Sequence, residues 1–459
     1  VDTSTTLSSS GVVSGTGQLI KTGAGTFTPS GTNTYSGGTA INAGTLQISS
    51  DSNLGAGNVS IDGATLAVVG GDVTSSKNVA LSNTSTFNID TSRTLATSGV
   101  ISGTGVLTKT GSGTLTPSGT NTYSGGTAIN AGTLQISSDS NLGTGNISID
   151  GSTLAVVGGD VTSSKNVALS NVATFNIDTS RTLATSGVIS GTGVLTKTGA
   201  GVLVPSATNT YSGGTALNAG TIQVSADNQL GTGSLSFATG TLQTTADITT
   251  SKTMALTTSG TLNVDTSTTL SSSGVVSGTG QLIKTGAGIL VPSAANTYSG
   301  GTAINAGTLQ ISADNNLGAG NVSIDGATLA VVGGDVTSSK NVALLNTATF
   351  NIDTSRTLAT SGVISGTGVL TKTGSGILTP SGTNTYSGGT ALNAGTIQVS
   401  ADNQLGTSNL TFNTGALQTT ADITTTKTMA LTTSGTLNVN TSTTLSANGV
   451  ISGTGQLIK

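Results

Sequence analysis

No cysteine, histidine, tryptophan or glutamate occurs among the 459 residues. The chain therefore has no disulfide, no thiol or imidazole nucleophile or base, and no Cys/His ligand set for zinc. Aromatic residues make up 2% and charged residues 7% of the sequence, which argues against a catalytic globule. No stretch approaches the ~20 consecutive apolar residues that a helix needs to cross a bilayer. Val1 opens inside a polar, strand-like pattern instead of a charged and then apolar leader, so the sequence reads as the middle of a longer chain. Basic charge is equally scarce: 14 Lys and Arg face 18 acidic residues, all of them Asp. No basic field exists to condense on phosphates or anionic lipid, and no nucleic-acid partner is expected. The lack of cysteine fits an extracellular protein, and it fits other compartments too.

What remains is mostly Gly, Thr, Ser, Asn and small aliphatics. The hydrophobic fraction of 34% is low, but the net charge of only −4 lacks the signature of disorder, so the chain is expected to fold. All five tyrosines fall in one motif, Asn-Thr-Tyr-Ser-Gly-Gly-Thr, at Tyr35, Tyr123, Tyr211, Tyr298 and Tyr386, a nearly constant interval. All five prolines keep step, each six places ahead of its tyrosine, from Pro29 to Pro380. Two rare residue types thus report the same module. By the tyrosine motif the modules run 14–101, 102–189, 190–276, 277–364 and 365–459, along a single continuous solenoid over 1–459. Three modules carry an Asp-Thr-Ser-Arg run (Asp90, Asp178, Asp353), whereas the others carry Asp265 to Thr268 or Asn440 to Thr443. The second type is one residue shorter where Val69-Gly70-Gly71-Asp72 becomes Thr245-Ala246-Asp247. A deletion within a strand would flip every later side chain, so this segment is expected to be a turn.

Short alternating segments such as Leu46-Gln47-Ile48, Leu66-Ala67-Val68 and Phe87-Asn88-Ile89 recur between Gly, Asn and Asp clusters. Period-two patterning without helical spacing predicts an all-β chain. The equivalent anchors Leu46, Leu66, Phe87 and Leu107 follow one another at about 20 residues each, the signature of a parallel β-solenoid coil, with about four coils in each module. One coil buries four or five aliphatic side chains at ~1.5–3 kcal/mol each, while ordering its backbone costs ~1–2 kcal/mol per residue. No coil can therefore stand alone, and stacking must supply the rest.

The stretch from Ser14 to Ser49, which includes Gly17-Gln18-Leu19-Ile20-Lys21, Asn33-Thr34-Tyr35-Ser36-Gly37-Gly38-Thr39 and Gly44-Thr45-Leu46-Gln47-Ile48, resembles the autotransporter-associated β-strand repeat, also called the passenger-associated transport repeat. The same hallmarks return in all five modules, with Gly-Thr-Ile-x-Val replacing Gly-Thr-Leu-x-Ile in the third and fifth. The resemblance implies a right-handed parallel β-helix, exported to the cell surface or beyond in a Gram-negative bacterium. It brings no catalytic residues with it. Pro29 departs from the Leu-rich strand usual in that family and suits an edge or a turn.

The remaining candidate chemistry is sparse. Asp90 and Arg93 are expected to form a local surface ion pair. Asp51, Asp62 and Asp72 lack the spacing of a calcium loop and read as turn formers that bond their own backbone. Gln47 and Asn88 are expected to stack amides between coils. Tyr35, Tyr123, Tyr211, Tyr298 and Tyr386 are the candidates for a surface contact row, set against the alternative that each clasps its own corner. No catalytic, cofactor or metal residue is assigned. The sequence thus points to a non-enzymatic structural segment, a rigid stalk or adhesin passenger. Self-association into a fibre, sheet or matrix is the alternative, and a polysaccharide-processing β-helix enzyme a remote one. Self-association through repeated faces and a host or matrix surface ligand are the partners left open.

Overall fold

The computed structural model describes residues 1–459. Its contacts divide the chain into two compact units, Val1–Val224 with Asn228–Ser234, and Ser225–Asp227 with Leu235–Lys459. Each unit is a parallel β-solenoid. The only helical pieces are single 3-10 turns such as Asp51–Leu54, which break the coil once per module.

Three short strands make one coil. In the first unit Thr65–Val68 leads to Val73–Ser75, then to Val79–Ser82, and Thr84–Ile89 returns to stack on Thr65–Val68. The three strands lie on three different sheets, so the coil is three-sided. The turn expected at 69–72 is present between the first two strands, with Gly70 at φ 86°.

Strand register shows how the core is shared. On one face Leu7, Phe27, Leu46, Leu66 and Phe87 lie opposite one another on successive coils, and the column continues through Lys109, Ile129, Ile149 and Leu169 to Gly191. Leu46 and Phe87 are fully buried. The step from coil to coil is not constant: Thr26 lies opposite Thr45, a short step, whereas Thr84 lies opposite Val106, a longer one, because a corner turn has grown.

The module is close to four coils, and the register refines that figure. From Phe27 four steps along one sheet lead to Lys109. The residue equivalent to Phe27, Leu115, lies further on, in the strand Thr114–Pro117 of the next sheet. The same element in the third module, Val202–Pro205, lies in the third sheet. One module is therefore four and a third coils, and equivalent residues of successive modules face successive sides. The second unit repeats the step, since Ile289–Pro292 and Ile377–Pro380 also occupy different sheets. In each copy the proline ends its strand and is buried, where its missing N–H does not interrupt the ladder.

Candidate functional site

The tyrosine motif builds the corner at which the regular coil is interrupted. Thr122 and Ser124 donate their amides to the Ile101 and Gly103 carbonyls of the coil before, at 2.8 Å and 3.0 Å, so the motif continues the ladder without being a strand. Asn121 ties three coils together: its Oδ1 accepts from the Ile101 amide at 2.8 Å and its Nδ2 donates to the Asn141 carbonyl at 2.8 Å. Tyr123 turns inward. Its hydroxyl lies 2.7 Å from Thr127 Oγ1, and because that threonine donates to the Leu142 carbonyl at 3.2 Å, the tyrosine is the donor.

All five tyrosines are 0–2% exposed, and each has the same threonine partner. Burial pushes their hydroxyls well above the usual phenol range. The candidate surface contact row is therefore corrected in favour of its alternative: each ring clasps its own corner as packing, and the five do not line one face. In the first unit Tyr123 stacks over Ile101–Gly103 and Tyr211 over Ile189–Gly191, strands that belong to different sheets.

A second buried group was not anticipated from the sequence. Lys109 occupies a rung of the apolar column and is 0% exposed. Its ammonium has three protons and finds three carbonyls: Thr110 at 2.7 Å, Gly111 at 2.7 Å, and Ala131 of the next coil at 3.1 Å. Lys197, Lys284 and Lys372 repeat this arrangement, and burial pushes each of the four down to about 8. Lys21 makes the same three contacts in the first module. The signal was present in the alternation, since Leu107 and Lys109 share parity and must share a face.

Charges pair differently from expectation. The five ion pairs join Lys77 to Asp51, Lys165 to Asp139, Lys252 to Asp227, Lys340 to Asp314 and Lys427 to Asp402, at 2.5–3.0 Å. None joins Asp90 to Arg93. Asp90 instead accepts from the Thr91 amide at 2.9 Å, and the turn is closed by the Arg93 amide bonding the Asp90 carbonyl, with Ser92 at φ 60°. Asp62 and Asp72 bond the next coil, not their own backbone: Asp62 accepts from Asn83 Nδ2 at 2.7 Å and Asp72 from the Thr94 amide at 2.9 Å. Gln47 and Asn88 do not stack, because Ala67 lies between them in register. In the shorter module type, Gln243 donates to Asp265 at 2.9 Å.

These arrangements carry a proteolysis prediction. Ten of the eleven lysines are either buried or ion-paired at 10–11% exposure, and the last, Lys459, ends the chain. Trypsin should leave the folded chain intact under conditions that digest the urea-unfolded chain within minutes. Where nicks occur, peptide mapping should find them after Arg93, Arg181 or Arg356. Early cleavage after Lys109 would contradict the burial.

A concave surface feature recurs beside the corner. A groove of ≈ 480 Å³ is lined by Gln18, Ser36, Gly37, Asn58 and Ser60, and a second of ≈ 520 Å³ by Gln281, Ser299, Gly300, Asn321 and Ser323. Ladder bonds from Leu19 to Gly38 and from Thr39 to Asn58 place Gln18, Gly38 and Asn58 on successive rungs. Gly37 and Gly57 line the first groove and Gly300 and Gly320 the second, so bare backbone lies between the side chains of the rim. A Cβ on Gly38 would come within 2.6 Å of the Asn58 carbonyl oxygen, and its φ of 87° also favours glycine.

Comparison with known proteins returns to the corner. The passenger-associated transport repeat family model matches residues 19–48, 107–136, 195–224, 282–311 and 370–399, segments that run from just before the buried lysine through the tyrosine to the end of the second strand after it. Over 128 residues the chain is 43% identical to the adhesin BmaC autotransporter of Brucella suis biovar 1 (strain 1330). That match takes in 28% of this chain and only 4% of the length of that protein. No solved structure matches.

Proposed function

We propose that this chain, five segments of which match the passenger-associated transport repeat, is a structural segment of an exported surface protein of a Gram-negative bacterium, a stiff passenger that holds adhesive surface away from the cell. The observation that carries the reading is the fivefold corner, in which lysine, asparagine and tyrosine are spent on joining coils. A role without turnover fits the same use of side chains: acid, ammonium and phenol groups serve the scaffold, and the repeats hold one another in place as successive coils must. The resemblance over a short segment to an autotransporter adhesin supports the surface location and the adhesive role.

The reading is tested on intact cells. Antibody raised against the purified chain should label unpermeabilised bacteria that express the full-length protein, and protease added outside should remove the label once the chain is thermally unfolded. Labelling that depends on permeabilisation would overturn the surface assignment. Sheet-like self-assembly receives less support than the display role, because one module step turns equivalent residues to another face.

A further inference from the structure

The two grooves deepen the surface reading and rest on it. We propose that each binds one uncharged, hydroxyl-rich sugar unit, through Gln18 with Ser36, Asn58 and Ser60, and through Gln281 with Ser299, Asn321 and Ser323. Four observations converge. The hollows, ≈ 480 and ≈ 520 Å³ and open to solvent, are wide enough to seat a single sugar ring against the surface. No charged side chain lines either groove, so neither offers the ion pair that would favour a charged ligand over an uncharged one. The rim offers carboxamides and hydroxyls, which both donate and accept as sugar hydroxyls do. The Asn58 amide is already oriented, because its Oδ1 accepts from the Asn78 amide at 3.2 Å, which leaves its Nδ2 to donate; Asn321 is held in the same way by the Asn341 amide.

The chain contains its own comparison. Val106, Val194 and Val369 stand at the position of Gln18 and Gln281 in the other modules, where the rim loses its long amide. The same groove stands in two separate units, built from equivalent residues of two modules that carry the same sequence there.

The test uses the purified full chain and an array of printed oligosaccharides: uncharged glucose, galactose, mannose and N-acetylglucosamine chains, alongside sialylated and sulfated ones. Retention on at least one uncharged class is expected. The double variant Gln18→Val and Gln281→Val should bind about tenfold or more weakly, with an unchanged β-type circular dichroism spectrum, since the fold already accommodates valine at this position three times. Failure to retain any uncharged sugar, retention of charged sugars alone, or equal binding by the double variant would each overturn the assignment. Surface labelling of cells separates the two readings: labelled cells with no sugar binding remove the groove proposal only, whereas unlabelled cells remove the surface reading whatever the array shows.

Discussion

Replacing Gly143 by alanine should destabilise its module by roughly 3–5 kcal/mol, in the range of the most damaging single substitutions. Gly143 follows the 3-10 turn Asp139–Leu142 with φ 66° and ψ −158°, a region that essentially only glycine occupies. A Cβ there would also lie 2.5 Å from the Tyr123 carbonyl oxygen and 2.8 Å from its ring. The ring cannot retreat, because it is fully buried and its hydroxyl is held by Thr127. Gly151→Ala is the control, since it also has a positive φ, 56°, but the nearest atom to its Cβ is 3.9 Å away. It should cost about 1 kcal/mol. Urea denaturation followed by amide exchange over residues 101–147 decides the matter, with Gly143→Ala losing protection there while Gly151→Ala keeps most of it. Equal effects of the two variants would show that backbone strain, and not the tyrosine wedge, sets the requirement.

The second large effect is a pH optimum of stability on the alkaline side. In the folded chain Lys109, Lys197, Lys284 and Lys372 are held at about 8, against 10.5 when exposed. Between these values the unfolded chain binds more protons than the folded one, so stability rises with pH from about 8 towards 10. The tyrosines act in the opposite sense. Their folded values are raised above 10.0, so beyond pH 10 the unfolded chain ionises while the folded chain stays protonated, and stability falls. Thermal melting between pH 7 and 11.5 should therefore show a maximum near pH 10. Lys109→Met should flatten the rising limb and Tyr123→Phe the falling one. A melting temperature that declines steadily from pH 7 would contradict the lysine assignment.

Much of this architecture is legible in the sequence. Tyrosine and proline fix the module, alternation fixes the strands, and a one-residue deletion at 69–72 locates a turn. The fraction of a coil is hidden because the step from coil to coil varies, as between the Thr26–Thr45 and Thr84–Val106 pairings, and each corner sets its own length. A residue's partner a coil away is equally hard to name. Asp51 meets Lys77 because one coil and a turn separate them, whereas Asp90 and Arg93, much nearer in the chain, are held apart by their own turn. Polar identity also misleads. Lys109 follows the inward parity of Leu107, but a lysine inside an apolar column is intelligible only once three converging carbonyls are visible. The grooves escape for a related reason: bare backbone at Gly37 and Gly57 lines the first, and an absence of side chain becomes a shape only between occupied neighbours.

The leftover third of a coil also bears on how such a chain can change by duplication. Copying one module inside a unit would do more than lengthen it. Everything in that unit beyond the insertion would be re-aimed by a third of a full circle, so a loop that pointed outwards could come to point back towards the cell. Gains or losses in threes would preserve every bearing, and any other number would alter the compass of the surface along with its reach.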